Sequence, residues 1–187
     1  MNQSAQNPEA LFRNGVALIE PYIFIAGNVS SDPAQKEIAI FRGIGMLDEV
    51  TELTPGNFAA FWIKGKAYQA LQLQEKAYVE FVTAFELNDE NPDVARELAI
   101  TCGYLGKGQE AVTISLHALS LDHHNPGLMG NLALSYLLNG EVENAERTIA
   151  AALVHSPDDG INQVLQTIIA EVKSGQRQRP YKYEDLQ

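Results

Sequence analysis

A set of small and aromatic residues recurs along this chain at a fixed interval of 34. Gly65, Tyr68, Ala77, Phe81 and Ala84 are followed by Ala99, Cys102, Ala111, Ser115 and Ala118, then by Ala133, Tyr136, Ala145, Ile149 and Ala152. The pairs Asn91-Pro92 and Asn125-Pro126 keep the same interval. Such a period marks a chain built from stacked helix–turn–helix units. One unit cannot bury its own apolar face, so at least three must stack together. Turn residues cut the periodic region into helix-length pieces: Gly106-Lys107-Gly108, Asn139-Gly140, Ser156-Pro157 and the two Asn-Pro pairs. The predicted helices are 58–71 and 74–87, 92–105 and 108–121, and 126–139 and 142–155. Leu87, Leu98, Leu121, Leu132 and Tyr136 are expected to join one continuous core.

Across residues 58–159 this pattern resembles the tetratricopeptide repeat (TPR) family, in three copies: 58–91, 92–125 and 126–159. The resemblance implies an all-α, right-handed superhelical solenoid of helix–turn–helix units. Its small residues at the eighth and twentieth places let the two helices of a pair approach, and the alanine at the twenty-seventh lets the next pair stack. The chain departs from the family pattern in places. Lys64 stands at the seventh place of copy one, where leucine is usual. Ala95 replaces the large fourth residue of copy two, and Ser115 replaces its aromatic. Asp89 and His123 stand where proline normally closes the second helix; Pro157 keeps it.

The flanks read as further helix. Residues 1–57 hold two N-terminal helices. The first, 8–20, has Leu11, Val16, Leu18 and Ile19 as apolar members and is expected to stop at Pro21. Residues 22–26 form a short apolar run read as a connection or helical turn on the core. Asp32 as N-cap, Pro33 at the first helical place and Gln35 in a capping box start the second helix. It runs through Ile38, Ile40, Phe41, Ile44, Leu47, Val50 and Leu53 to Pro55-Gly56, and resembles a degenerate half-repeat. Gly43 and Gly45 inside it are expected to permit close helix packing. Residues 160–175 read as a capping helix, with Ile161, Val164, Leu165, Ile168, Ile169 and Val172 at helical spacing. Residues 176–187, with Arg177, Arg179, Pro180, Tyr181, Lys182 and Tyr183, read as a flexible basic tail, the alternative being that it reaches an acidic face of its own body or of a neighbour.

In the TPR family the first helix of each pair lines a concave groove that holds a peptide or a helix. Carried to this sequence, the resemblance nominates Trp62, Lys66 and Gln69 in copy one, and Arg96, Ile100 and Tyr104 in copy two. In copy three it nominates Leu134, Leu137 and Leu138, with Asn131 nearby. Trp, Tyr and Arg dominate binding energy at interfaces. The alternatives are that Trp62 packs on the preceding helix and that Leu134 and Leu138 are covered by the capping helix or a second protomer. The family's clamp for a C-terminal carboxylate needs Lys and Asn where this chain has Trp62 and Lys66, so tails of the Hsp70 and Hsp90 kind are not expected as ligands.

The remaining numbers narrow the function. The chain has 187 residues, 45% hydrophobic content and a formal charge of −11. That charge repels a phosphate backbone, so nucleic acid is not an expected partner. The N-terminus lacks a basic stretch followed by an apolar run, and no apolar stretch approaches a membrane span. A cytoplasmic protein without membrane insertion is the expectation. Cys102 is the one cysteine and reads as a buried core thiol. The four histidines, His117, His123, His124 and His155, have no carboxylate or cysteine at metal spacing. Glu86, Asp89, Glu90 and Asp93 read as a solvated turn. No catalytic residue, cofactor or metal is expected. The leading function is a non-catalytic adaptor that binds another protein or peptide. The alternatives are a chaperone with one dedicated client, whose size, acidity and architecture resemble the type III secretion translocator chaperones, and a self-associating structural scaffold such as a homodimer, its groove filled by the chain itself or a twin.

Overall fold

Four asparagine or aspartate residues, Asn57, Asn91, Asn125 and Asp159, stand 34 apart, and each caps a helix. Asn91 accepts from the N–H groups of Asp93 and Val94, Asn125 from those of Gly127 and Leu128, and Asp159 from those of Ile161 and Asn162. These donors have no partner inside a helix, so the caps fix where each first helix begins.

The computed structural model describes residues 7–23 and 32–186. They fall into two compact units, Met1–Asn88 and Asp89–Gln187. The first holds α1 (Pro8–Ile23), α2 (Pro33–Leu53), α3 (Phe58–Ala70) and α4 (Gln74–Leu87). The second holds α5 (Pro92–Tyr104), α6 (Gly108–Leu121), α7 (Pro126–Asn139), α8 (Val142–His155), α9 (Gly160–Ser174) and a 3-10 turn, Tyr183–Leu186. No strand occurs among the described residues. The repeat helices lie within one residue of the expected bounds.

In the first unit α1 packs against α2, and α3 against α4. The α1–α2 crossing is close enough that a Cβ on Gly43 would lie 2.8 Å from the Gly15 carbonyl oxygen. Gly45 meets nothing there, so only one of the two glycines expected to permit close packing does so. The half-repeat expected at α2 therefore has a partner helix in α1. Pro21 does not end α1; it lies inside it, and the expected stop moves to Ile23. Tyr22 and Ile23 pack against the core of α2 and α3, and that burial holds the last turn despite the missing donor. Of the run expected over 22–26, residues 24–26 lie outside the described residues.

The core of this unit is Ile19, Ile40, Ile44, Leu47, Val50, Ala60, Ile63 and Ala67. Ile38, Phe41 and Leu53 of α2 are exposed instead. Lys64 explains its own departure from the repeat pattern. It is buried, and its Nζ lies 2.7 Å from Asp48 of α2 and 3.0 Å from Glu80 of α4. One cation thus ties three helices together.

In the second unit α5 packs on α6, α7 on α8, and α9 on α7 and α8. Ala111, Ala118, Ala133, Ala145 and Ala152 of the periodic register are all buried. Ser115, which replaces an aromatic, hydrogen-bonds Ser135 of α7 across 2.9 Å, and Ser135 donates to the Asn131 carbonyl. The polar pair is satisfied inside the core, as a buried hydroxyl requires. Leu98 and Leu132 are buried as expected, whereas Leu87 and Leu121, at the last turns of α4 and α6, stay largely exposed. Each pair turns through a left-handed residue, at Gln72 (φ 59°), Gly106 (φ 69°) and Gly140 (φ 87°), again 34 apart.

Candidate protein-binding site

The first helices of the second unit, α5, α7 and α9, present one face, and the site is built there. The cap at Asn91 starts α5 so that Arg96, Ile100 and Tyr104 follow one another at helical spacing. Asn125 and Asp159 set α7 and α9 in the same way. The side chain of Asn162, buried on α9, donates to the Pro126 carbonyl at 3.2 Å. It sits against Gly130, where a Cβ would run into its amide oxygen, so α9 approaches α7 closely.

The C-terminal segment lies over this face. Tyr183 stacks on Tyr104, with ring centroids 4.7 Å apart and planes 18° from parallel. Arg179 donates to the Leu138 carbonyl at 2.6 Å, and its guanidinium lies 4.1 Å from the centre of the Tyr181 ring. Pro180 is buried. Burial, with Tyr104 and the Glu97 charge beside it, pushes the Tyr183 phenol above the ordinary tyrosine range. Pro180, Tyr183 and Leu186 are the apolar groups of this polar segment that pack on the body, while Tyr181 stays 65% exposed.

Next to Tyr183 and Leu186 a cavity of about 480 Å³ remains between α7, α9 and the 3-10 turn. Leu134, Val164 and Ile168 supply apolar wall; Arg96, Asn131 and Asn162 supply polar groups. Arg96 is held by Asp93 at 2.8 Å and Glu97 at 3.2 Å. A few polar groups converging on an apolar hollow is the usual composition of a ligand site.

The nominated residues divide. Arg96, Asn131 and Leu134 line the cavity, and Tyr104 forms the ring platform. Ile100 is partly buried on the same helix. Leu137 is 0% exposed and Leu138 3%, both inside the core that α7 shares with α8 and α9. Tyr183 and Leu186 pack against that core, so Leu134 and Leu138 are covered by the chain itself. In the first unit Lys66 and Gln69 are partly buried on α3. Trp62 packs against the α1–α2 core rather than standing free, and its indole N–H is buried without a hydrogen-bond partner among the described residues.

Arg179, Tyr183, Leu186 and Gly103 are the residues that repeat-based reasoning misses. Gly103 stands in copy two at the place that Gln69 and Leu137 hold in the other two copies. A Cβ there would run into the Tyr183 ring, so the absence of a side chain makes the seat. A glycine at that place, beside Tyr104 and with two tyrosines in the tail, was the available signal.

The architecture matches solved structures. MamA superposes with a TM-score of 0.68 at 17% identity, over 78% of this chain and 87% of that one. YrrB, described as a TPR protein with an unusual peptide-binding site, gives 0.66 at 16% identity, over 96% and 90%. The first TPR of Spaghetti (RPAP3), bound to the HSP90 peptide SRMEEVD, gives 0.58 at 14% identity, over 63% and 93%. The fold is the tetratricopeptide-repeat fold. No family model matches the sequence, and no curated protein matches it. No helix among the described residues is long and apolar enough to cross a membrane.

Proposed function

We propose that this TPR-fold protein is a non-catalytic interaction module, and that the α5–α7–α9 face receives a short segment of another protein. One observation carries the reading: this face already seats a short segment, the chain's own residues 179–186, through a stacked ring and a hydrogen bond to a helix carbonyl. The open cavity beside it gives a partner somewhere to place an apolar side chain. Two structures of the same fold, those of RPAP3 and YrrB, concern peptide binding, which supports the reading. Residues 89–175 carry 12 Asp+Glu against 4 Lys+Arg, so a neutral or basic segment suits this unit better than an acidic one.

The test compares the full chain with an Asn131→Arg variant, which puts a large cation at the cavity wall. Both are checked by circular dichroism and used as bait in lysate of the native host. A protein captured by the wild type and lost by the folded variant supports the reading. Equal capture by both moves the binding surface elsewhere.

A further inference from the structure

The site is built for its occupant in a way that a chance contact would not need. Gly103 gives up its side chain under the Tyr183 ring, and Tyr104 lies parallel to it. Arg179 takes up the Leu138 carbonyl in the last turn of α7, where carbonyls lack helix partners, and lies against the backbone of Gly140. The segment also folds on itself. Asp185 accepts from the N–H groups of Tyr181 and Lys182, and Arg177 donates to the Leu186 carbonyl at 3.2 Å. The docked segment is thus closed into a hook, carrying three cations and two carboxylates against an acidic body.

Yet the hook does not fill the site. The cavity of about 480 Å³ stays open at its edge, walled by Leu134, Val164 and Ile168. A tethered segment meets its site at an effective concentration in the millimolar range, so weak contacts suffice to hold it. A free ligand lacks the tether and must gain its affinity from new contacts. The unfilled cavity offers them.

We propose that residues 177–186 are an intramolecular ligand that keeps this site closed, and that the partner which displaces them is a segment of the same chemistry. It bears an arginine, an aromatic residue four places on, and an apolar side chain that enters the cavity. This rests on the reading that the face binds protein segments.

The experiment uses the full chain and a fluorescent peptide of residues 176–187 as probe. An Arg179→Ser/Tyr183→Ser variant frees the site, and Tyr183→Phe serves as the conservative control. The freed variant is expected to bind the probe at least tenfold more tightly than the wild type or Tyr183→Phe. Adding Gly103→Leu to it abolishes binding. Trypsin cleavage after Arg177 and Lys182 is expected to be slow in the wild type and fast in the freed variant. Equal probe affinity in wild type and freed variant, or equally fast cleavage of both, overturns the proposal. Protection that falls as the wild type is diluted assigns the tail to a second copy and also overturns it. If the freed variant ignores the probe but still captures a host protein in an Asn131-dependent way, the intramolecular ligand is wrong and the protein-binding reading stands.

Discussion

Replacing Lys64 with methionine tests how the first unit is held together. Lys64 Nζ lies about 3 Å from two carboxylates, 2.7 Å from Asp48 and 3.0 Å from Glu80. At an effective dielectric of about 20, each contact is worth about 5 kcal/mol before desolvation, and desolvation takes back several kcal/mol per ion. The two carboxylates differ. The Asp48 side chain is 51% exposed and rehydrates when its partner goes, whereas Glu80 is 15% exposed and is left as a buried, unpaired charge. The Glu80 carboxyl already sits above the usual range, because burial outweighs the pull of Lys64. Burial also opposes the charge on Lys64, but the hydrogen bond to Asp48 and the charge of Glu80 more than offset it, so the ammonium holds its proton more tightly than usual.

Lys64→Met is therefore expected to cost about 3 kcal/mol, the lower end of what breaking a buried pair costs. Lys64→Met/Glu80→Leu, which removes the stranded charge, is expected to return to within about 1 kcal/mol of wild type. Trp62 is the one tryptophan and packs on this unit's core, so its fluorescence in urea reports this unit. With a slope of about 1.5 kcal/mol/M, the single variant's midpoint falls by about 2 M. The signs of the pH dependence follow. Lys64 is raised, so its contribution is complete below the unfolded lysine value, about 10.4, and fades as pH rises through the folded one. Glu80 is raised, so its protonation favours the folded state, and the deficit of Lys64→Met shrinks as pH falls toward the carboxylate range. A single variant within 0.5 kcal/mol of wild type (roughly the error of such measurements), or a double variant no better than the single, would refute the reasoning.

Gln72→Gly is expected to stabilise the first unit by about 0.5–1 kcal/mol: the left-handed backbone costs a side-chain-bearing residue about 1–2 kcal/mol, and the entropy of glycine takes back part of that. The same urea titration reads it, and a destabilised variant would contradict it. Cys102 is 0% exposed, and burial, with the Glu110 charge, pushes its thiol up to about 12. At pH 8 about one molecule in 10⁴ then carries the folded thiolate, against about a quarter of unfolded chains. Iodoacetamide labelling is expected to follow unfolding, and rapid labelling of native protein would contradict this. The raised thiol also makes stability fall as pH climbs past about 8.5.

The sequence made the helices legible because their boundaries are local. Asn91-Pro92 and Asn125-Pro126 state a cap and a first turn within two residues, and Gly140 states a stop. The small residues at 65, 77, 99 and 111 reveal which faces meet, since nothing larger fits. What the sequence hid depends on neighbours that arrive from far along the chain. Leu137 looks like a groove residue on a single helix, and only α8 and α9 make it core. Tyr183 lies 79 positions from the ring it stacks on, in a segment whose composition argues for disorder. Lys64 looked like a defect until Asp48 and Glu80 came within 3 Å of it.

The cap at Asp159 gives α9 the same starting signal as α3, α5 and α7, so α9 is the opening half of a fourth rung, with no second helix following it among the described residues. A ladder with an unfinished rung has a natural point of extension. Because each rung answers mainly to its neighbours, a 34-residue rung spliced in after Asp158, beginning again at its own asparagine, is expected to be read by the chain as more of the same.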